Sequence, residues 1–203
     1  MSAPTTTGAL PRSFFQRDPI TCARELIGCR LVWGSCEGII AETEAYAAEG
    51  DEASHTWSRP SARAFVAEHP AGAAYVYFNY GVHWMLNVLV KGGAGDGFVL
   101  FRALEPTRGL AVMTRRRETN RRKKTAPLAV TALCSGPGKM AQALAVTGRD
   151  HGRDFCDDAR AAFYPAEAPV AVVAGTRIGI SRAQELPWRF VLAGSPHLSV
   201  PLR

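Results

Sequence analysis

An α+β domain, built around one curved and mainly antiparallel β-sheet with flanking helices, is the fold class this sequence predicts. Three observations point there. Apolar stretches of strand length outnumber stretches of helical length, many are separated by short turns instead of helices, and residues 38–46 alternate with a period of two. At 203 residues the chain can bury one sizeable core, and it carries no internal repeat.

In chain order, Met1 to Gly8 is small and polar and lacks the basic-then-apolar order of a secretory signal. Residues 1–12 are therefore expected to form a disordered tail, with a single domain from 13 to 203. Asp18 before Pro19 combines an N-cap with a proline at the first helical position, and Gly28 closes that short helix. Residues 29–33 and 38–46 read as strands joined by a hairpin over 34–37. Alternation places Ile40, Glu42, Glu44 and Tyr46 on one face of the second strand. Residues 47–73, rich in Ala, Ser, Pro and Glu, read as a long surface connection. Strands follow at 75–78 and 83–90, with a tight turn at Asn79-Tyr80-Gly81 between them. The glycine-rich 92–97 segment is a turn into a strand at 98–101. It is a poor phosphate loop, because no helix follows it and the Lys-Ser ending is missing. Pro106 is expected to open a helix through Leu110 and Met113, and a second helix spans 140–146 with a proline near its start. Late strands are expected at 170–173, 177–180 and 189–192.

Composition narrows the class. Hydrophobic residues make up 47% and charged residues 21%, ordinary values for a globular protein. No apolar run reaches the roughly 20 residues needed to span a bilayer, so no membrane partner is expected. Cys22, Cys29, Cys36, Cys134 and Cys156 are odd in number and lack metal-like pairing, which favours reduced thiols in a cytoplasmic protein. The window 115–124 holds seven positive charges and one negative, and so carries the whole net charge of +6. Such a block suits a phosphate backbone, although charge alone does not distinguish DNA from RNA or an anionic membrane.

Two segments carry the chemistry. In Ile39-Ile40-Ala41-Glu42-Thr43-Glu44-Ala45-Tyr46, the apolar neighbours imply burial of Glu44, and a poorly solvated carboxylate within reach of water can act as a general base. Glu42 and Glu44 would lie ~7 Å apart along the strand. That falls within the roughly 6.5–9.5 Å of inverting glycosidases, which keeps carbohydrate hydrolysis as an alternative. In Tyr75-Val76-Tyr77-Phe78-Asn79-Tyr80-Gly81, Tyr77 can be a core aromatic or a stacking surface. Tyr80 sits at a turn, where small polar residues are the rule. An aromatic at a hairpin tip can wedge into a base stack and fill the gap left by an extruded nucleotide, which points to damaged DNA.

Several ordered motifs then resemble one family, the alkyladenine (3-methyladenine, methylpurine) DNA glycosylases, roughly from Phe14 to Val200. They are Glu42-Thr43-Glu44-Ala45-Tyr46, Asp51-Glu52-Ala53-Ser54-His55, the tyrosine segment, Met85-Leu86-Asn87 and Phe101-Arg102-Ala103-Leu104-Glu105-Pro106. Leu133-Cys134-Ser135-Gly136-Pro137 with Lys139, Arg189-Phe190 and Gly194-Ser195-Pro196 complete the set. The resemblance implies a monofunctional enzyme that flips alkylated or deaminated purines from duplex DNA and hydrolyses the N-glycosidic bond, without metal or cofactor. It implies Glu44 as general base and Arg102 as the group that places the water or the nucleotide's phosphate. Tyr46, His55 and Tyr77 would form the base pocket, Asn87 a selectivity residue at its floor, and Tyr80 the intercalating residue on a DNA-inserting hairpin. Arg63, Arg115, Arg116 and Lys139 are the expected backbone contacts. A monomer at the bacterial nucleoid is the expected state. One stretch departs from the family pattern: Ala64 stands for the usual Asn after Arg63, and Ala67-Glu68 for a Met-Phe pair. An acid there predicts a weaker grip on DNA. Two other readings are a non-catalytic damage-binding protein and a helix-hairpin-helix glycosylase, which Leu133-Cys134-Ser135-Gly136-Pro137-Gly138-Lys139 echoes; the many β stretches oppose the latter.

Overall fold

A computed structural model describes residues 8–119, 126–158 and 160–202. Helix α1 (Arg12–Phe15) follows Pro11, and Leu10 is buried with its N–H on Phe163 O at 2.7 Å. Residues 10–12, counted with the tail above, are therefore docked; residues 1–7 lie outside the described residues. Helix α2 (Pro19–Glu25) starts as its sequence requires: the Asp18 side chain accepts from Thr21 N at 2.9 Å, and Pro19 occupies the first turn. Gly28 adopts φ +84° just beyond, where a Cβ would stand 2.7 Å from Val170.

Strands β1 (Arg30–Trp33) and β2 (Cys36–Ala47) form the expected hairpin. The connection beyond β2 is not a plain loop, as expected from its composition. It holds α3 (His55–Ser58) and α4 (Pro60–Glu68), the latter opened by a first-turn proline and anchored by buried Ala62 and Phe65. A helix this short, with only two buried positions, leaves too little periodicity to read among its Ser, Pro and Glu residues. Strands β3 (Ala74–Asn79) and β4 (His83–Val90) form the tyrosine hairpin.

Strand β5 (Gly97–Arg108) is longer than expected and contains Pro106, which therefore opens no helix. It pairs with β2 along that strand's length, with Pro106 opposite Gly38 beside a register shift, a position where a missing N–H is tolerated. Gly38 itself admits the close approach, since a Cβ there would lie 2.9 Å from Glu105 O. Helix α5 (Leu110–Thr119) begins only after Gly109, at φ +80°. Helix α6 (Pro137–Leu144) follows Gly136 and ends at left-handed Ala145. Strand β6 (Ala161–Tyr164), which sequence patterning did not single out, pairs with β1. Strands β7 (Val172–Gly175) and β8 (Arg189–Leu192) pair with each other; residues 177–180 form a loop instead of the expected strand.

The order β3-β4-β5-β2-β1-β6 is antiparallel throughout, with β8 joining β2 beyond the end of β1. One edge of β2 thus serves β1 and then β8, and the sheet curls into a half-barrel. The fold is α+β, as predicted. Thr43 Oγ1 donates to Ala23 O at 2.8 Å and docks α2 on one face of the sheet, within the main core. A smaller cluster of Ala62, Phe65, Ala73, Tyr75, Leu89 and Phe98, with Tyr46 and Tyr77 packed against it, backs the cleft on the other side. Among the described residues no helix is long and apolar enough to cross a membrane. All five cysteines are free; burial pushes the Cys22, Cys29 and Cys156 thiols up to about 11 and Cys134 up to about 12, which suppresses their nucleophilicity.

Candidate active site

The floor of the cleft is made by two irregularities in the β2–β5 ladder. Ala41 is an extra residue on β2, and Arg102 an extra residue on β5. The first changes the alternation, so Ile40 joins the main core and does not share a face with Glu42 as expected. The second turns Arg102 onto both carboxylates: its Nε donates to Glu42 Oε1 at 2.9 Å and its Nη1 to Glu44 Oε2 at 3.1 Å. Both glutamates are 0% exposed.

Their surroundings differ in one countable respect. Glu42 receives four donors: Arg102 Nε, Arg189 Nε at 2.7 Å, Ser199 N at 2.6 Å and Ser199 Oγ at 2.7 Å. Three of these converge on Oε1 and only Ser199 N reaches Oε2, so Glu42 carries one donor more than Glu44 and faces two guanidinium groups. Burial alone would raise its pKa, but Arg102, Ser199 and Arg189 outweigh burial and hold it below the usual value. Glu44 receives three donors: Tyr46 OH at 2.8 Å, Arg102 Nη1, and Ile178 N at 2.7 Å on its other oxygen. One acceptor direction is left over. The Tyr46 phenol is pushed far up by burial and then by Glu44, so it stays a neutral donor. For Arg102, burial works against the charge, but Glu44 and Glu42 outweigh it and raise the pKa.

Above this floor lies a cavity of ≈ 740 Å³, with Tyr46, His55, Tyr75, Tyr77, Asn87 and Arg102 in its lining. The His55 and Tyr77 rings meet edge to face with centroids 4.2 Å apart, and His55 Nδ1 shares a 3.0 Å hydrogen bond with Tyr75 OH. Burial, then the nearby Arg59 charge, pushes His55 down to about 4, while burial pushes Tyr77 up to about 12. Both rings are neutral near pH 7. Asn87 is fixed by a 2.9 Å bond from Nδ2 to Tyr75 O, across from Leu100 on β5. At the rim, Tyr80 holds φ +49° and is 88% exposed, with Phe78 and Val82 also exposed beside it. A non-glycine residue in that region is strained, and the Tyr80 ring buries almost no surface in return.

The expected backbone contacts are scattered. Arg63 donates to Thr56 O at 2.6 Å, tying α4 to α3. Lys139 is exposed near the start of α6, beside Ser135 and close to Pro137, which lines the cleft. Arg115 is exposed on α5, whereas Arg116 turns inward to Ala143 O at 2.9 Å. No residue of α5 lines the cleft, and residues 120–125 of the basic block lie outside the described residues. Sequence reasoning missed Asp51 as an anchor, along with Arg177, Ile178 and Ser199. Arg189 was noted only as part of a motif. Each meets its partner across more than a hundred residues, and no local pattern announces such a pairing.

A curled sheet that buries a carboxylate pair beneath an aromatic-lined cleft is the class of site the fold defines. The particular family follows from comparison. Residues 13–196 match the family described as methylpurine-DNA glycosylase (MPG), and the chain belongs to that family. Similar proteins described as "Putative 3-methyladenine DNA glycosylase" occur in Rhodopseudomonas palustris (44% identical, 95% of this chain and 88% of that one) and Rhizobium etli (45%, 95% and 89%). Another from Rhizobium johnstonii is 43% identical over 100% of this chain and 96% of its own length.

Proposed function

We propose that this protein is a monofunctional DNA glycosylase of base excision repair that removes alkylated purines, 3-methyladenine first among them, from duplex DNA. The observation that carries the reading is buried Glu44 beneath the aromatic cleft, with three donors in place and only one of them on Oε1. Family membership supports the activity, and the names of the relatives support the lesion class.

The chemistry follows from the groups in place. An N-alkylated purine carries positive charge, so it is a good leaving group and needs little acid assistance. Its electron-poor ring gains cation–π attraction from Tyr46 and Tyr77, and His55, neutral at this pH, adds no repelling charge. Glu44 uses its open lone pair to take a proton from water as the C1′–N bond breaks, and its charge stabilises the oxocarbenium character at C1′. Arg102 lines the cleft and keeps Glu44 oriented. Asn87, held by Tyr75 O, cannot swing aside for the exocyclic amine of normal guanine. Tyr80 fills the vacated stack from the exposed hairpin tip. The inverting-glycosidase alternative needs a second carboxyl able to donate a proton. Glu42 accepts four hydrogen bonds and is held ionised, so it does not meet that need.

The test is a panel of duplexes carrying 3-methyladenine, 7-methylguanine, hypoxanthine or ethenoadenine, incubated with wild type and Glu44→Gln. Base release by wild type on the methylated purines, lost in the variant, is expected. Binding without release by wild type on every lesion would favour a damage-binding protein.

A further inference from the structure

One buried ion pair lies outside the roles described so far. Arg177 Nη1 and Nη2 meet Asp51 Oδ2 and Oδ1 at 2.6 and 2.9 Å, and both side chains are 0% exposed. Each partner also holds backbone. Asp51 accepts from Ala47 N at 3.2 Å and Ala53 N at 3.0 Å. Arg177 donates to Ala45 O at 3.0 Å and to Ala183 O at 3.3 Å, and its guanidinium lies 4.7 Å from the Tyr46 ring centroid and 5.1 Å from that of Trp188. Three segments therefore meet at one guanidinium: the end of β2, the segment leading into α3 and His55, and the loop 177–183. Ile178, next in the chain, is the residue whose N–H reaches Glu44.

We infer that Arg177 and Asp51 are positioning residues for the proposed reaction, acting as a clamp that holds loop 177–183 over the cleft so that Ile178 N–H orients the Glu44 carboxylate. The inference rests on the function proposed above. Three features of the pair support it. A planar fork bonded on two sides is fixed in direction as well as in place, which a lysine cannot reproduce. The loop it holds contributes Ile178, Gly179, Ile180, Ser181 and Arg182 to the cleft wall. The ring it stacks on belongs to Tyr46, the other neutral donor to Glu44. Removing the fork frees both donors at once, and a misplaced base slows chemistry more than it weakens binding.

The test uses the full chain with Arg177→Lys, and Asp51→Asn as a second variant that keeps an acceptor for one of the two backbone N–H groups, Ala47 or Ala53. Two quantities are read on duplex containing 7-methylguanine: the single-turnover release rate at saturating enzyme, and the affinity. Hydrogen exchange is followed in parallel. The expected result is a rate about 10- to 100-fold lower with affinity retained, and faster exchange confined to 177–183 and the neighbouring 47–53 segment. A wild-type rate, or exchange that rises equally through the whole sheet, overturns the inference. Wild-type enzyme that binds but releases no base sinks the proposed activity instead, so the two failures are distinguishable.

Discussion

The floor of the cleft and the tip of the β3–β4 hairpin break the usual partition of side chains in opposite directions. At the floor, Glu42, Glu44, Arg102 and Arg189 are charged and buried, and hydrogen bonds tie them into one network that reaches Ser199. At the tip, Phe78, Tyr80 and Val82 are apolar and exposed, and Tyr80 holds a left-handed backbone. The difference shows what each region lacks when nothing is bound. The floor holds Glu44 with one donor fewer than Glu42, its Oε1 met by Ile178 N–H alone. The tip lacks an apolar or aromatic surface to cover it. In the proposed function, DNA supplies the second and brings the reacting water's target to the first.

If that division holds, the largest single effect is on chemistry at the floor. Glu44→Gln keeps the side-chain shape and loses the base, so single-turnover release is expected to fall by about 10²–10⁴-fold with DNA affinity retained. Glu42→Gln sharpens the contrast within the floor itself. It leaves Arg102 and Arg189 facing a neutral amide, and about 3–5 kcal/mol of folding stability is expected to go, read by urea denaturation. A stable Glu42→Gln protein with no activity would mean that the two carboxylates share the chemistry after all. At the other region, Tyr80→Ala is expected to cost about 1–3 kcal/mol of DNA binding, read by fluorescence anisotropy, with thermal stability unchanged, because the ring is exposed and Ala keeps the same Cβ at the left-handed position.

Smaller effects test the walls between the two. Folded His55 titrates at about 4, below its ordinary 6.5, because burial and then Arg59 disfavour the imidazolium. Between those values the unfolded chain binds more protons, so this residue makes stability rise with pH through that window and fall as the medium is acidified. His55→Phe is expected to flatten that slope in denaturation curves. For the phosphate grip, Arg115→Ala is expected to lower the salt slope of DNA binding by about 1, whereas Arg116→Ala loses stability instead, because its guanidinium holds Ala143 O.

How much of this was legible in the sequence depended on the range of the interaction. The Glu44–Tyr46 alternation and the Asn79-Tyr80-Gly81 turn are local patterns, and the structure keeps both. The Asp18–Pro19 helix start was equally local and equally readable. The bulge at Ala41 was not, because a one-residue offset between two long strands depends on both partners; it moved Ile40 off the carboxylate face. Pro106 misled for a related reason. A proline beside a bulge on a strand resembles a proline opening a helix until its pairing partner Gly38 is known. Arg177 was read as part of a strand, although its actual role is set by Asp51, 126 positions earlier. The side chains that line the cleft were thus visible locally, and those that hold Glu44 in place were not.

The comparison of floor and tip is tested most directly by measuring Glu44→Gln and Tyr80→Ala side by side on one 7-methylguanine duplex, with affinity and single-turnover release recorded for each. A crossed result is expected: Glu44→Gln binds like wild type and releases base about 10²–10⁴-fold more slowly, while Tyr80→Ala binds more weakly yet retains far more release at saturating enzyme. Release at the wild-type rate by Glu44→Gln would contradict it.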